Sequence, residues 1–317
     1  MGYSDDKRLL VELASMYYNE GAKQEEIAKK FSISRSLVSK YLAKARSLGL
    51  VEIIIHDDLI HPFQRLEQKI QKKYQLKEVI CVHSIGEESL NKRLGIATAR
   101  YLSRIIKADM TIAISAGTTL HEAAVIFSVK NHLSNVRFIP MVGGLGREHV
   151  SLQSNVICEL LANKCGGIAL ELHAPITVDS AEAKQVFLSQ SFIKNVLEEA
   201  KNADISLVGI GGTPVYSTMT KAYLAKEDGM KVDFTNGEII GDICYNFINE
   251  EGSVVDCEWN KRVLSLEVAD LKKIPLKIAA AGGKDKVKGI NAALTNHLVD
   301  VLIIDEDTAK FLLNEYI

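Results

Sequence analysis

The sequence predicts an α/β protein in which a small three-helix domain precedes a doubly wound, mostly parallel α/β domain with a small β-hairpin insertion. Three observations predict this fold class. The first fifty residues repeat apolar side chains at helical spacing, the later chain alternates wholly apolar segments with amphipathic ones, and glycine follows most of the apolar segments. The length of 317 residues also suggests two domains.

The first domain is predicted from three helical stretches. Residues 7–18 predict a helix whose apolar side chains can cover the next two helices. Those two helices each have one apolar face and can share one core, and the apolar residues are Ile27, Ala28 and Phe31, then Leu37, Val38, Leu42 and Ala45. Ser34 is predicted to cap the third helix, because its hydroxyl can accept an unpaired backbone N–H.

The outward side chains of the third helix are short, polar and basic, a composition that suits base edges and phosphates. Residues 1–50 carry nine Lys and Arg against six Asp and Glu, a net +3, whereas the whole chain has −2. A basic end on a near-neutral chain favours a helix-turn-helix that binds double-stranded DNA. The alternative is a plain helical hairpin with a solvated charged face. The predicted DNA-binding residues are Gln24, Ser34, Arg35, Ser36, Ser39, Lys40 and Lys44.

Composition indicates an ordinary cytoplasmic protein. No apolar run approaches the roughly 18 residues of a membrane span, and Asp5 and Asp6 stand where a signal peptide would be basic and then apolar. The five cysteines are scattered without a CxxC pair, which predicts neither disulfides nor a zinc site. No metal and no organic cofactor is predicted.

The domain boundary is predicted at a short β-rich segment, residues 51–61, that ends in polar residues before Pro62. We expect a DNA-binding domain over residues 1–56 and an effector-binding and oligomerisation domain over residues 57–317. Residues 62–74 predict the amphipathic helix that opens the second domain.

The second domain alternates strands with helices, and its strands are apolar throughout, which predicts a parallel sheet covered on both faces. The predicted strands are 78–82, 110–115, 136–141, 167–172, 205–210, 276–281 and 301–305. The predicted helices are 87–106, one beginning near 119, 154–164, those within 180–202, 285–298 and 307–315. Residues 237–257 predict a β-hairpin with a glycine turn between two extended runs.

Glycine-rich loops follow four of these strands, with the sequences AGTTL, VGGLG, GGTP and GGKDK. In open α/β sheets ligands bind at the carboxyl ends of strands, and free N–H groups at a helix N-terminus accept phosphate. Gly117, Thr118 and Thr119 are therefore the predicted phosphate site, with Lys284 as the neutralising cation. The alternative is that the glycines only turn the chain tightly. Neither GGTP nor GGKDK has the spacing of a nucleotide-binding motif.

Polar residues at other strand ends are candidates for contacting the rest of a ligand, since carboxylates and amides suit hydroxyl groups. The alternative is a structural role, in which a buried aspartate caps a turn or a histidine bonds to the backbone. The predicted sugar-binding residues are Gly143, Gly144, Asn155, His173, Asp179, Gly211 and Asp242.

The chain resembles a known family. The segment YYNEGAKQEEIAKKFSISRSLVSKYLAKARSLGLV, with AGTTL, MVGGLG, HAP, GIGG, GDICYNF and AGGKDKVKGINAAL, is similar to the SorC/DeoR-type sugar-binding transcriptional regulators. The resemblance implies a helix-turn-helix joined to an effector domain with the fold of sugar-phosphate isomerases, a phosphorylated sugar as effector and a tetramer on paired palindromic sites. It also implies that the GTT loop and Lys284 hold the phosphate, with Asn155 and Asp242 near the sugar hydroxyls. Val142 stands where some members have a basic residue, which favours a singly phosphorylated, noncovalent ligand.

The sequence therefore predicts a transcriptional regulator of a carbohydrate-use operon, with no enzymatic activity, whose operator affinity depends on a sugar phosphate. We expect it to assemble as a homodimer or homotetramer. The rival hypothesis is a sugar-phosphate isomerase or deaminase with a DNA-binding domain, in which Asp242, Asp179 or His173 would act as the general base. A nicotinamide-binding redox sensor is the third hypothesis, and the glycine pattern disfavours it.

Overall fold

The computed structural model of the protein describes residues 7–51, 62–213 and 238–315. The chain forms two compact units, Met1–His61 and Pro62–Ile317, and each is described here by itself. Two predictions lie outside the described residues: the domain boundary between residues 56 and 57, and the β-rich segment 51–61 apart from residue 51. In the described parts of the chain, no helix is long and apolar enough to cross a membrane.

The first unit contains the three predicted helices. They are α1 (Lys7–Tyr18), α2 (Gln24–Lys30) and α3 (Arg35–Ser47). Leu13, Ile27 and Val38, one from each helix, are completely buried against one another in a single cluster. The apolar faces read from the sequence therefore meet in one small core.

The turn between α2 and α3 is built from local hydrogen bonds. Ser32 has a φ of 54°, and the N–H of Ile33 donates to the Ala28 carbonyl at 3.0 Å, which closes the end of α2. The Ser34 hydroxyl accepts the N–H of Leu37 at 3.2 Å, so the predicted cap of α3 is present.

The start of α2 lacks a serine or threonine cap, since Lys23 occupies the N-cap position. The Glu26 carboxylate compensates by accepting the Lys23 backbone N–H at 2.9 Å. This is the carboxylate half of a capping box, and it stabilises the helix start without a hydroxyl side chain.

The second unit is built around a seven-stranded parallel sheet. Its strands are β1 (Glu78–Val82), β2 (Thr111–Ile114), β3 (Arg137–Pro140), β4 (Ile168–Ala169), β5 (Ile205–Val208), β9 (Leu276–Ala280) and β10 (Val301–Asp305), and three shorter strands, β6 to β8, form a separate sheet. The helices are α4 (Gln64–Tyr74), α5 (Leu90–Ile105), α6 (Thr118–Ile126), α7 (Ser154–Cys165), α8 (Ala181–Ser189), α9 (Ser191–Lys201), α10 (Glu258–Arg262), α11 (Val268–Leu271), α12 (Val287–Thr295) and α13 (Glu306–Leu312).

The strand order is β1-β10-β9-β5-β2-β3-β4, and every neighbouring pair is parallel. The predicted doubly wound parallel sheet is confirmed. The fourth strand is much shorter than the predicted 167–172, because it lies at the sheet edge and pairs with β3 over only two residues. The chain winds outward from β2 to β4 and then restarts at β5, so the strand order reverses between β2 and β5.

The two faces of the sheet carry separate apolar cores. In β2, Ile112 and Ile114 face one core while Ala113 faces the other, and all three are fully buried. Helices α5, α6 and α7 cover the first face, and α4, α12 and α13 cover the second. Burial on both faces explains why these strands are apolar throughout.

The three short strands form an antiparallel sheet beside the main one. They are β6 (Ile210–Gly211), β7 (Gly241–Ile243) and β8 (Asn246–Ile248). The hairpin predicted in this region is present, with a glycine turn at Gly252 between β8 and Val254, which forms an antiparallel bridge with Ile248. The β7–β8 turn is made by Cys244 and Tyr245, both with positive φ, and Gly252 forms the following turn.

Candidate functional site

A cavity of about 180 Å³ lies at the carboxyl ends of β2 and β5, where the strand order reverses. Loops after these strands splay apart at such a switch point and leave a crevice. The described lining comes from residues 115–120 after β2, residues 209–212 after β5, the β7–β8 hairpin and the loop after β9. The location is the one predicted from the glycine-rich loops.

The N-terminus of α6 opens into this cavity. Gly117 occupies the N-cap with a φ of 142°, a conformation that favours glycine, and no side chain caps the helix. The first α-helical bond runs from His121 N–H to the Gly117 carbonyl at 3.0 Å, so the N–H groups of Thr118 and Thr119 precede it. The structure therefore brings Thr118, Thr119 and the positive end of the helix dipole together in the cavity wall, an arrangement that can accept an anion.

Asn91 is a cavity residue that the sequence did not reveal. It lies in the first turn of α5, and the Thr119 hydroxyl donates to its Oδ1 at 3.1 Å. The bond fixes both side chains in the wall. No glycine-rich loop precedes α5, so only the position of Asn91 in a helical first turn could have indicated it.

Among the described lining residues the lysine is Lys286, and the predicted Lys284 is not one of them. Lys284 is exposed, and its ammonium lies 4.9 Å from the centre of the Phe311 ring. The loop after β9 makes a 3₁₀ turn over Lys284–Lys286, which directs Lys284 away from the cavity lining and places Lys286 at the N-cap of α12.

Asp242 and Gly211 pair with each other across β6 and β7 in the wall of the cavity. Burial raises the pKa of Asp242 to about 6, while the positive charge of Lys286 and the N–H of Tyr245 act in the opposite direction. A Cβ atom at Gly211 would clash with the Asp242 carboxylate, so any other residue there would force that carboxylate to shift. Both predicted residues are thus brought to the pocket.

The floor of the cavity contains Ser115 and Cys244. Burial raises the pKa of the Cys244 thiol to about 12, against the lowering effect of a hydrogen bond with Ser115. The thiol is therefore protonated and behaves as a small apolar group.

Three predicted polar residues lie outside the described lining of the cavity. Asn155 bonds both backbone groups of Leu172, accepting its N–H at 3.0 Å and donating to its carbonyl at 3.2 Å. His173 is exposed and pairs with Glu171 at 2.9 Å. Asp179 is exposed beside Ser180, which caps α8. Asn155 has a structural role, and His173 and Asp179 are exposed at positions that are not part of the described lining.

Gly143 and Gly144 also lie outside the described lining, and their N–H groups are already engaged. Gly143 donates to the Leu264 carbonyl at 2.9 Å and Gly144 to the Ala174 carbonyl at 2.7 Å. A Cβ atom at Gly143 would clash with the Pro175 carbonyl. Close backbone packing therefore accounts for the first glycine of this pair.

The predicted DNA-binding face of the first unit is accessible. Arg35, Ser36, Ser39 and Lys40 are exposed along α3, Lys44 is half-buried in the same helix, and Gln24 is half-buried in the first turn of α2. Arg35 Nε lies 3.1 Å from the Glu25 carboxylate, and the hydroxyls of Ser34 and Ser36 are 2.9 Å apart. These contacts orient the start of the helix that would enter a DNA groove.

Comparisons with known proteins agree with this architecture. Residues 59–314 match the family model Sugar-bind, a sugar-binding domain. The chain is 28% identical to the deoxyribonucleoside regulator of Bacillus subtilis strain 168, across 98% of this chain and 99% of that protein. It is 27% identical to the sorbitol operon regulator of Klebsiella pneumoniae, across 99% of this chain and 100% of that protein.

The crystal structure of the full-length sorbitol operon regulator SorC from Klebsiella pneumoniae has the same fold. It superposes with a TM-score of 0.74 at 26% identity, covering 98% of this chain and 99% of that one. These relatives are transcriptional regulators and not enzymes, which argues against the isomerase hypothesis. The family model and the full-length relatives together show that the chain belongs to the SorC/DeoR family of sugar-binding transcriptional regulators.

Proposed function

We propose that this protein regulates a carbohydrate-use operon and that a phosphorylated sugar, bound in the cavity at the β2–β5 switch point, controls its affinity for operator DNA. The observation that carries the proposal is one cavity that combines the uncapped N-terminus of α6, the Lys286 ammonium and the Asp242 carboxylate. The printed name of one relative, a sorbitol operon regulator, agrees with a carbohydrate operon.

The phosphate is proposed to bind at the N-terminus of α6. Backbone N–H groups there, the Thr118 hydroxyl, the Thr119 hydroxyl once it turns from Asn91 Oδ1 to the ligand, and the partial positive charge of the helix dipole all favour an anion. Lys286 supplies the full positive charge. Asp242 and Asn91 offer acceptor and donor atoms to the hydroxyl groups of the sugar.

The DNA contacts are proposed to come from α3 and the start of α2. Arg35, Ser36, Ser39 and Lys40 are candidates for base edges and nearby phosphates, with Lys44, Gln24 and Ser34 in supporting contacts to the backbone. A helix-turn-helix reads paired half-sites as a dimer, so we also propose a homodimer or homotetramer as the active form.

The effector can change operator affinity only by binding the competent and incompetent states unequally. The same coupling requires operator DNA to change effector affinity by the same factor. Effector titrations of the protein with and without its operator would therefore measure this coupling free energy.

Thermal unfolding against a panel of sugar phosphates, each paired with its free sugar, tests the proposal. A ligand that binds only the native state raises the unfolding temperature. At a free concentration of about 100 times its Kd, it adds about 2.7 kcal/mol to the free energy of unfolding. We expect a shift with a phosphorylated sugar, none with its free form, and a loss of the shift in Thr118→Val and Thr119→Val. A control variant is Thr111→Val, in β2 at the opposite end of the strand. Equal shifts with free and phosphorylated sugars would contradict the phosphate assignment.

A further inference from the structure

Helix α4, which opens the second unit, has an outer face that the effector cavity does not use. On its inner side, Ile70 is fully buried and Tyr74 nearly so, and both belong to one core of the second unit. On the opposite side, Arg65, Lys69 and Lys72 are all exposed. With 3.6 residues per helical turn, these three side chains fall within an arc of about 60°. They form a short stripe of positive charge, called here the basic face of α4.

The one acidic residue of α4 does not reach this face. Glu67 is buried on the inner side of the helix, where its carboxylate accepts the backbone N–H of Cys81 at 2.7 Å. The basic face therefore has no carboxylate from its own helix.

Neighbouring elements neutralise the basic face only in part. Lys69 Nζ lies 2.9 Å from the Glu315 carboxylate, but both side chains are exposed, and an exposed pair contributes only about 0–1 kcal/mol. Another anion can therefore replace Glu315 at little cost. Within the described residues, no carboxylate forms an ion pair with Arg65 or Lys72. Lys73 lies beside this face and is already engaged, since its ammonium donates to the Leu312 carbonyl at 2.6 Å.

Helix stability does not explain this arrangement of charges. Lys72 lies in the last turn of α4, where a cation favours the helix dipole, but Arg65 lies in the first turn, where a cation opposes it. Arg65 and Lys69 are four residues apart, a spacing at which like charges repel and destabilise a helix. The basic face therefore costs local stability, as is expected of residues that serve an external partner.

The partner that this face fits is the phosphate backbone of DNA. From Arg65 to Lys72 the helix rises about 10 Å, and a duplex carries one negative charge per about 1.7 Å of its axis, so the face spans about six phosphate charges. Residues 52–61 join α4 covalently to the first unit. A duplex held by α3 is therefore present at a raised effective concentration around α4, which favours a second contact with the same DNA.

We propose that Arg65, Lys69 and Lys72 form a second DNA-contacting surface, which binds the phosphate backbone of DNA that flanks the sequence read by α3. This inference rests on the DNA binding in the proposed function, and it assigns part of the operator contact to the second unit. Phosphate contacts add affinity and salt dependence but carry no direct sequence information. The rival partner lies in the chain itself, because residues 52–61 contain Glu52, Asp57 and Asp58.

Fluorescence anisotropy of the full-length protein tests this proposal on two duplexes. One is the shortest operator selected from random DNA, and the other extends it on both sides by about ten base pairs of unrelated sequence, one helical turn. The test variant combines Arg65→Gln, Lys69→Gln and Lys72→Gln. The control variant combines Lys107→Gln, Lys130→Gln and Lys194→Gln, which removes the same charge from exposed lysines of the second unit outside α4.

We expect the wild type to bind the extended duplex at least threefold more tightly than the short one, and the test variant to lose this gain. The slope of log affinity against log salt concentration should fall by about 2–3 on the extended duplex, because each lost phosphate contact removes about 0.9. The ratio of operator to random-DNA affinity should stay unchanged, since these contacts read no bases. The single variants Arg65→Gln and Lys72→Gln should each lower the slope by about 1, which keeps the test informative if the triple variant unfolds.

An unchanged slope in the test variant, or an equal loss in the control variant, would overturn the proposal. Unchanged DNA binding with a lower unfolding temperature would also overturn it, and would indicate that the basic face pairs with acids of its own chain. Failure of the wild type to select any duplex would instead overturn the proposed DNA binding, and this inference with it.

Discussion

The hydroxyl of Tyr74 donates a hydrogen bond of 2.7 Å to Asn291 Oδ1. Tyr74 is the last residue of α4, which opens the second unit, and Asn291 lies in α12, the helix that begins beside Lys286. The same hydroxyl lies 3.5 Å from the Leu312 carbonyl. The bond therefore connects α4, the first helix of the second unit, with α12, whose N-cap residue Lys286 lines the cavity.

Removing this hydroxyl should cost stability without disturbing the fold. We expect Tyr74→Phe to lower the free energy of unfolding by about 1 kcal/mol, the usual net value of one hydrogen bond, because the ring still packs in the core. Urea unfolding followed by the fluorescence of Trp259, the only tryptophan in the sequence, measures it. Asn291→Ala is the matched partner variant. Fully additive losses in the double variant would show that the two side chains do not interact.

Asp242 should make stability depend on pH. Its pKa is raised to about 6 in the native state and is about 3.9 in an unfolded chain, so ionising it destabilises the native state. This penalty is absent below about pH 4 and complete above about pH 6. We expect Asp242→Asn to raise the free energy of unfolding by about 1–2 kcal/mol at pH 7.5, a value reduced for the solvent access of the side chain, and much less at pH 4.5.

The same urea unfolding experiment at pH 7.5 and pH 4.5 checks the pH prediction. Asp256→Asn, at an exposed carboxylate, is the control and should give no such difference between the two pH values. A larger gain at acidic than at neutral pH would show that the sign is wrong.

The start of α3 should determine operator specificity. We expect Arg35→Ala to weaken operator binding by about 1–3 kcal/mol and to relax the preference at one base pair, the effect of losing a good base contact. We expect Lys44→Ala to weaken operator and random DNA equally and to reduce the salt slope by about one. Fluorescence anisotropy with an operator recovered by selection from random DNA measures both. Lys130→Ala, in the second unit, is the charge-matched control, and an effect of similar size there would contradict the assignment.

The turn of the first unit should respond oppositely to two serine substitutions. Ser32 has a φ of 54°, so we expect Ser32→Gly to stabilise the unit by about 0.5–1 kcal/mol. Ser34 caps α3, so we expect Ser34→Ala to destabilise it by about 1 kcal/mol. Hydrogen exchange of the α3 amides in the full-length protein reports both changes. Faster exchange in Ser32→Gly than in the wild type would contradict this account of the turn.

Periodicity was sufficient to predict the sheet and most helices, because the strands are buried on both faces and the helices on one. The exceptions have local causes. The edge strand β4 is cut to two residues by its single neighbour, and the β7–β8 turn uses Cys244 and Tyr245 in a left-handed conformation that their side chains do not signal. No apolar period marks such a turn, whereas the glycine turn at Gly252 is visible in the sequence.

The candidate site was predicted in part. The loop at Gly117 and the Asp242 carboxylate were found because glycine before a helix and an acid within an apolar run are visible in the sequence. The sequence predicts Lys284 as the cavity lysine, whereas the structure places Lys286 in the lining. The 3₁₀ turn that points these two side chains in different directions depends on the packing of the loop. Position near the end of a predicted strand or helix selects Asn155, His173 and Asp179. That position alone does not determine whether a side chain lines the crevice.

Operator binding in the presence of the sugar phosphate that raises the unfolding temperature tests the central claim most directly. We expect the phosphorylated sugar to change the operator dissociation constant at least tenfold, the free sugar to leave it unchanged, and Thr119→Val to abolish the response while retaining operator binding. An operator affinity that is the same with and without the sugar phosphate, or a full response in Thr119→Val, would contradict control of DNA binding by a phosphorylated sugar in this cavity.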